Sequence, residues 1–248
     1  MLVLVINLLL GAVLGAFGGM LGIGGGLIAI PVLAYAYGMD QQLAQGTALV
    51  MILPNVLIGF LRYRQRNHID LRALAGLVVV AMVSSFGAAR VAAQLDPGHL
   101  RMAFALFLLA LCAYAAWQLR AGSPAEPKAA LPPRYLFLIG LLSGVMSGLF
   151  SVGGGLVVVP VLVAWFRMSQ TQAQGVGMAL VIPGSLVAMV TFAHAGHVHW
   201  TTGIPLAIGG IISVSWGVAL AHRLAQRTLR TLFCLMLLGT AVASLLQR

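Results

Sequence analysis

The chain is short of acid. Asp40, Asp70, Asp96 and Glu126 are its four carboxylates, set against 14 lysines and arginines in 248 residues. Charged residues make up 7% of the sequence and hydrophobic ones 61%, whereas a soluble domain carries about a quarter charged residues. That poverty excludes a water-soluble globule and predicts an all-α bundle of membrane helices. All four acids fall in loops or at the edges of apolar segments. An intramembrane carboxylate, the usual mark of proton- or sodium-coupled carriers, is therefore missing.

Cysteine is equally scarce. Cys112 and Cys234 each lie inside an apolar segment and form no CxxC pair, so neither a disulfide nor a metal site is expected. No GKS or GKT is present, and the glycine runs GIGGG and SVGGG follow no soluble βαβ strand, which excludes a dinucleotide fingerprint. The opening MLVLVINLLLG lacks a basic region and a cleavage site and reads as a retained membrane segment. The formal charge of +10 comes almost entirely from arginines in short loops. That is the positive-inside pattern of a multi-pass protein facing lipid, not a nucleic-acid surface. No cofactor is expected, and homo-oligomerisation is left open.

What the chain has in plenty is glycine, and it is used twice over. Residues 11–33 read GAVLGAFGGMLGIGGGLIAIPVL and residues 140–162 read GLLSGVMSGLFSVGGGLVVVPVL. The register holds through AQGTALVMILP (44–54) and AQGVGMALVIP (173–183), with roughly 16 of 44 positions identical over 11–54. Apolar segments run over 2–37, 44–61, 71–93 and 99–119, then 135–166, 173–193, 201–221 and 228–246. Each half thus holds four. A polar, proline-rich linker at 120–134 separates a first membrane repeat (1–119) from a second (135–248).

The first segment of each half is too long for one crossing, since 36 helical residues would span about 54 Å against a hydrocarbon core of about 30 Å. Gly24, Gly25 and Gly26, and likewise Gly153, Gly154 and Gly155, stand near its middle, with Pro31 and Pro160 following. The segment is expected to break there inside the membrane, leaving peptide groups that only protein, water or a ligand can satisfy. If each broken unit is a re-entrant hairpin, eleven of the 14 cations share one face. If each crosses once, the split is nearly even. The positive-inside rule favours the hairpin, and with it inverted halves.

Gly11, Gly15 and Gly19, with Gly140, Gly144 and Gly148, recur every four residues and suit close helix packing. Three adjacent glycines exceed what packing needs. Their successive N–H groups, together with the half-helices that start beyond them, could hold an anion. Gln45 and Gln174 either tie down helix ends or donate amides to an oxyanion, with Thr47, Asn55 and Ser185 on the same segments. Ser147 and Ser151 flank the second break and either bond back to their helix or face the substrate. Arg90 and Arg223 either reach to the interface or attract anions. His68 and His197 are repeat-equivalent, His194 and His199 lie near the second, and the HxH at 197–199 has no carboxylate or cysteine company, so no metal site is read here.

The paired G-x-x-x-G-x-x-x-G…GGG-L…P-V-L signature, four units per half and the central linker resemble the TauE/SafE family of sulfite and organosulfonate permeases over nearly the whole chain. The resemblance implies an inner-membrane, multi-pass transporter of sulfur-containing anions such as sulfite or sulfonates. It places the family's glycine-rich breaks at Gly22, Gly24, Gly25 and Gly26, and at Ser151, Gly153, Gly154 and Gly155. The substrate-binding set expected from these readings is Gly24, Gly25, Gly26, Gln45, Thr47, Asn55, Ser151, Gly153, Gly154, Gly155, Gln174 and Ser185. Export could run on the membrane potential, worth about 2.3 kcal/mol per charge per 100 mV. No catalytic residues are assigned. The rivals are transport of another small anion or in the uptake direction, an intramembrane hydrolase built on Ser147 or Ser151 with His194 or His197, and a non-transporting assembly factor.

Overall fold

The computed structural model describes residues 2–66, 71–121, 136–152, 155–166 and 168–246. The linker from 122 onward, His68, Gly153 and Gly154 lie outside them. The described residues form ten helices and no strand: α1 Leu2–Leu21, α2 Gly26–Ala36, α3 Gln41–Arg66, α4 Leu71–Gln94, α5 Pro97–Ala121, α6 Leu136–Phe150, α7 Gly155–Trp165, α8 Gln170–His194, α9 Trp200–Ala221 and α10 Gln226–Leu246. Among them 7 are long and apolar enough to cross a membrane. At 1.5 Å per residue, the 11-residue α2 and α7 reach about 16 Å, roughly half the hydrocarbon core. Hydropathy gave eight segments; the structure splits the first of each half in two.

Contacts between named residues fix the helix directions. Gly18 packs on Gly24 and Gly25, and the Tyr37 hydroxyl donates to Asn7 Oδ1, so α2 runs back along α1. A methyl group on Gly11 would overlap the Leu206 carbonyl, on Gly15 it would meet Gly210, and on Gly19 the Val214 carbonyl. That stepwise pairing makes α1 and α9 parallel. Gly140, Gly144 and Gly148 face Leu77, Ala81 and Ser85 in the same manner, so α6 lies parallel to α4. The glycine-every-four pattern thus does what small residues do in lipid, letting two backbones touch. It joins the first helix of each half to the other half's α4 or α9.

The centre of the bundle is the crossing of α3 with α8. Gly59 packs on Met178 and Tyr63 bonds to Gln174, so the two run antiparallel. The C-terminal end of α3 therefore sits beside the start of α8 and the end of α9. Gln42 on α3 donates to the Leu95 carbonyl just past α4, at 2.6 Å, and marks the opposite end. Outward faces carry exposed Leu2, Val3, Val83, Ile212 and Trp216, as lipid contact requires. The two acids among the described residues cap helices at the ends: Asp40 accepts from the Leu43 N–H at 2.8 Å, and Asp96 from the Gly98 and His99 N–H groups.

Candidate functional site

Helical geometry stops at Leu21 and resumes at Gly26. Gly22, Gly24 and Gly25 take φ values of 73°, 71° and 91°, left-handed conformations that glycine adopts at little cost. Gly25 is the N-cap of α2, and no side chain bonds to the buried helix start. In the second half the corresponding residue to Gly22, 129 positions on, is Ser151, and it too is left-handed, at φ 55°. Outside glycine that conformation costs roughly 1–2 kcal/mol. A serine held there is the kind of outlier that collects at functional sites.

The two interruptions meet. A methyl group on Gly26 would lie 3.3 Å from the Ser151 carbonyl oxygen, and one on Gly155 would lie 3.0 Å from the Gly22 carbonyl oxygen. Gly26 also packs on Ile52 and Gly155 on Val181, each near the middle of a long helix, α3 or α8. The starts of α2 and α7 therefore face one region at mid-depth, where their partial positive ends add. Among the described residues there, 21–27 and 150–152 are buried, and Leu14, Met51, Ile52, Val56 and Gln174 pack on the first break.

The polar residues expected at the site divide by what they touch. Thr47 is committed to structure, its hydroxyl accepting the His199 N–H at 2.9 Å across the turn between α8 and α9. Gln174 is also engaged. Its Nε2 donates to the Met20 carbonyl at 3.2 Å, and its Oε1 accepts from the Tyr63 hydroxyl at 2.8 Å. Tyr63, which the sequence reading passed over, is fully buried, reaches the Gly19 and Met20 carbonyls as well, and lies against the His222 ring. Its only advance signal was a tyrosine opposite Phe192 in the repeat.

Four residues remain without partners. Both amide atoms of Gln45 and of Asn55, and the hydroxyls of Ser151 and Ser185, are buried with no hydrogen bond. All four are 0% exposed. A buried polar atom left unpaired costs about 1–3 kcal/mol, so these six atoms are candidates to meet a ligand, as are Gln41 Nε2, Gln42 Oε1 and Ser143 Oγ elsewhere in the bundle to meet some other partner. Gln45 and Gln174 hold equivalent places in the repeat, yet only Gln174 has a tyrosine to bond; at Gln45 the equivalent residue is Phe192, which has no hydroxyl. Asn55 packs on Gly210 of α9, one helix face away from the Ile52 and Val56 that cover the breaks.

Two clefts open at opposite ends. One of about 700 Å³ lies between the ends of α1, α3 and α9, with Arg62, Arg66 and Arg223 on its walls. The other, about 350 Å³, lies between α4 and α8 and carries Arg90 and His194. Arg90 stacks its guanidinium 4.4 Å above the Phe86 ring. Arg90 and Arg223 thus face different ends and share no register, since Gln94 stands where Arg223 stands in the second half. His194 lies in that end cleft and Ser151 at the central breaks, so the structure does not bring these two residues together.

A family model described as Sulfite exporter TauE/SafE matches residues 7–244. Similar proteins include a "Probable membrane transporter protein" of Xylella fastidiosa, 28% identical over 96% of this chain and 94% of its own length. One from Methanocaldococcus jannaschii with the same description is 27% identical over 92% of this chain and 88% of its own. A third, from Bacillus subtilis, is 23% identical over 91% of each. Seven membrane-length helices and a family match spanning almost the full sequence make this chain a multi-pass membrane transporter belonging to the TauE/SafE sulfite exporter family.

Proposed function

We propose that this transporter carries a small sulfur-containing oxyanion, sulfite or an organosulfonate, outward through the region where the two helix breaks meet. The single observation behind this reading is the unpartnered Ser151 hydroxyl, held on a strained left-handed backbone beside the start of α2. An oxyanion would accept from that hydroxyl, from the Gln45 amide and from the N–H groups at the starts of α2 and α7, replacing its hydration shell. The buried state of the breaks corresponds to an occluded carrier, closed to both end clefts.

Alternating access follows if the two halves are inverted copies. Support comes from the antiparallel crossing of α3 with α8 and from the matched pairings of α1 with α9 and α6 with α4. No described membrane helix carries a carboxylate to couple protons or sodium. Outward movement of an anion needs none, because the membrane potential supplies about 2.3 kcal/mol per charge per 100 mV. The test is flux of labelled sulfite and of small sulfonates, phosphate and carboxylates from proteoliposomes under an imposed potential. Sulfur oxyanions are expected to move, faster as the potential of the loaded side becomes more negative. Selective movement of carboxylates, or no potential dependence, would overturn the assignment.

A further inference from the structure

The larger end cleft is more than a gap between helices. α1 stops at Leu21, while its parallel partner α9 continues past the level of that end to Ala221, and α3 continues to Arg66. The space above the end of α1 is therefore walled by the last turns of α3 and α9, and Met20 forms part of its lining. Three arginines converge on it. Arg62 is oriented by donating its Nε to Ser215 Oγ at 3.2 Å. Arg62, Arg66 and Arg223 are exposed to the opening and form no ion pair among the described residues. The Met20 carbonyl, one layer beneath, receives the Gln174 amide and the Tyr63 hydroxyl, and Gln174 in turn packs on Gly22 of the break.

The repeat provides an internal comparison. At the opposite end, Thr191, Ala195 and Gln94 occupy the places of Arg62, Arg66 and Arg223, and the single arginine there is stacked on Phe86. Two clefts of the same descent thus differ by two net arginines; the positive-inside rule accounts for the side they occupy, and the convergence of Arg62, Arg66 and Arg223 on one recess is the further observation. From this we infer that the α1–α3–α9 cleft is an oxyanion capture site, collecting a small sulfur oxyanion on the arginine-rich face above the Tyr63–Gln174 contact. The inference rests on the transport reading given above. Like charges lining a recess with low-dielectric walls raise the local concentration of an opposite ion by about 10-fold or more, an effect that salt weakens.

The experiment uses oriented membrane vesicles and initial rates of labelled sulfite movement, with substrate offered at one face at a time. Arg62→Gln, Arg66→Gln and Arg223→Gln combined are expected to raise the half-saturating concentration about tenfold for substrate offered at the arginine-rich face. Maximal rate and the opposite face should stay unchanged. Arg64→Gln removes the same charge from the same turn, outside the cleft, and is expected to leave the half-saturating concentration where it was. Wild-type flux with an unaltered half-saturating concentration in the triple variant would overturn the capture site alone. Equal loss in Arg64→Gln, or a loss seen only in vesicles containing anionic phospholipid, would also overturn it, assigning the cleft to general surface charge or to a lipid headgroup. Absence of wild-type flux for every oxyanion would remove the transport reading, and this one with it.

Discussion

Replacing Ser151 with glycine sets stability against transport. The backbone there is left-handed, a cost of roughly 1–2 kcal/mol that glycine escapes. The hydroxyl is buried without a partner, worth a further penalty of about 1–3 kcal/mol that also disappears. Against this stand the greater freedom of glycine in the unfolded chain, about 0.5–1 kcal/mol, and the lost packing of one carbon, about 0.8 kcal/mol. The balance is a protein more stable by about 0–4 kcal/mol, centred near 2. If the hydroxyl binds an oxyanion, the same change removes a hydrogen bond to a charged group, about 1.5–3 kcal/mol, or a 10- to 100-fold weaker affinity. The detergent-solubilised variant should melt at higher temperature, and in proteoliposomes its half-saturating sulfite concentration should rise by that factor. A lower melting temperature, or unchanged affinity at raised stability, would refute the argument that Ser151 is retained for its hydroxyl. The exchange is cleaner than a bulky residue at Gly25, where any side chain would sit 2.6 Å from the Leu14 carbonyl at φ 91°. Loss of flux there would not separate binding from misfolding.

Other substitutions divide the remaining roles. Gln45→Met should hold or raise thermal stability by relieving an orphaned amide while lowering sulfite affinity. Gln174→Met, which removes the amide bonds to the Met20 carbonyl and to the Tyr63 hydroxyl while the hydroxyl keeps the Gly19 carbonyl, should destabilise by about 1–3 kcal/mol in the same melting assay. Thr47→Val is expected to cost about 1 kcal/mol through the lost bond to the His199 N–H, with the half-saturating substrate concentration unchanged in vesicles. Gly87 faces open space on α4, so Gly87→Ala should be neutral or stabilise by up to about 1 kcal/mol. Gly144→Ala drives a methyl group into the Ala81 carbonyl and should lower folded yield and melting temperature sharply.

The sequence by itself determined the solvent and the secondary structure. With 7% charged residues there is no way to clothe the chain in water, and in lipid every backbone donor must be paired internally, so helices follow. It also marked the glycines spaced by four as contact faces and the residues 22–26 as a place where a helix is hard to continue, because both are local properties of small side chains. Tertiary structure alone decided which partner each face meets: α1 goes to α9 and α6 to α4, in the other half of the chain, a choice no spacing within one helix encodes. It alone separated two glutamines that look identical in the repeat. Gln174 is spent on Tyr63 and Met20, Gln45 is left with nothing, and Thr47 is tied to a turn 152 residues away. Whether a buried polar atom is satisfied depends on groups brought near it from remote parts of the chain. The list of polar candidates was therefore readable in advance, and the division between scaffold and free donors was not.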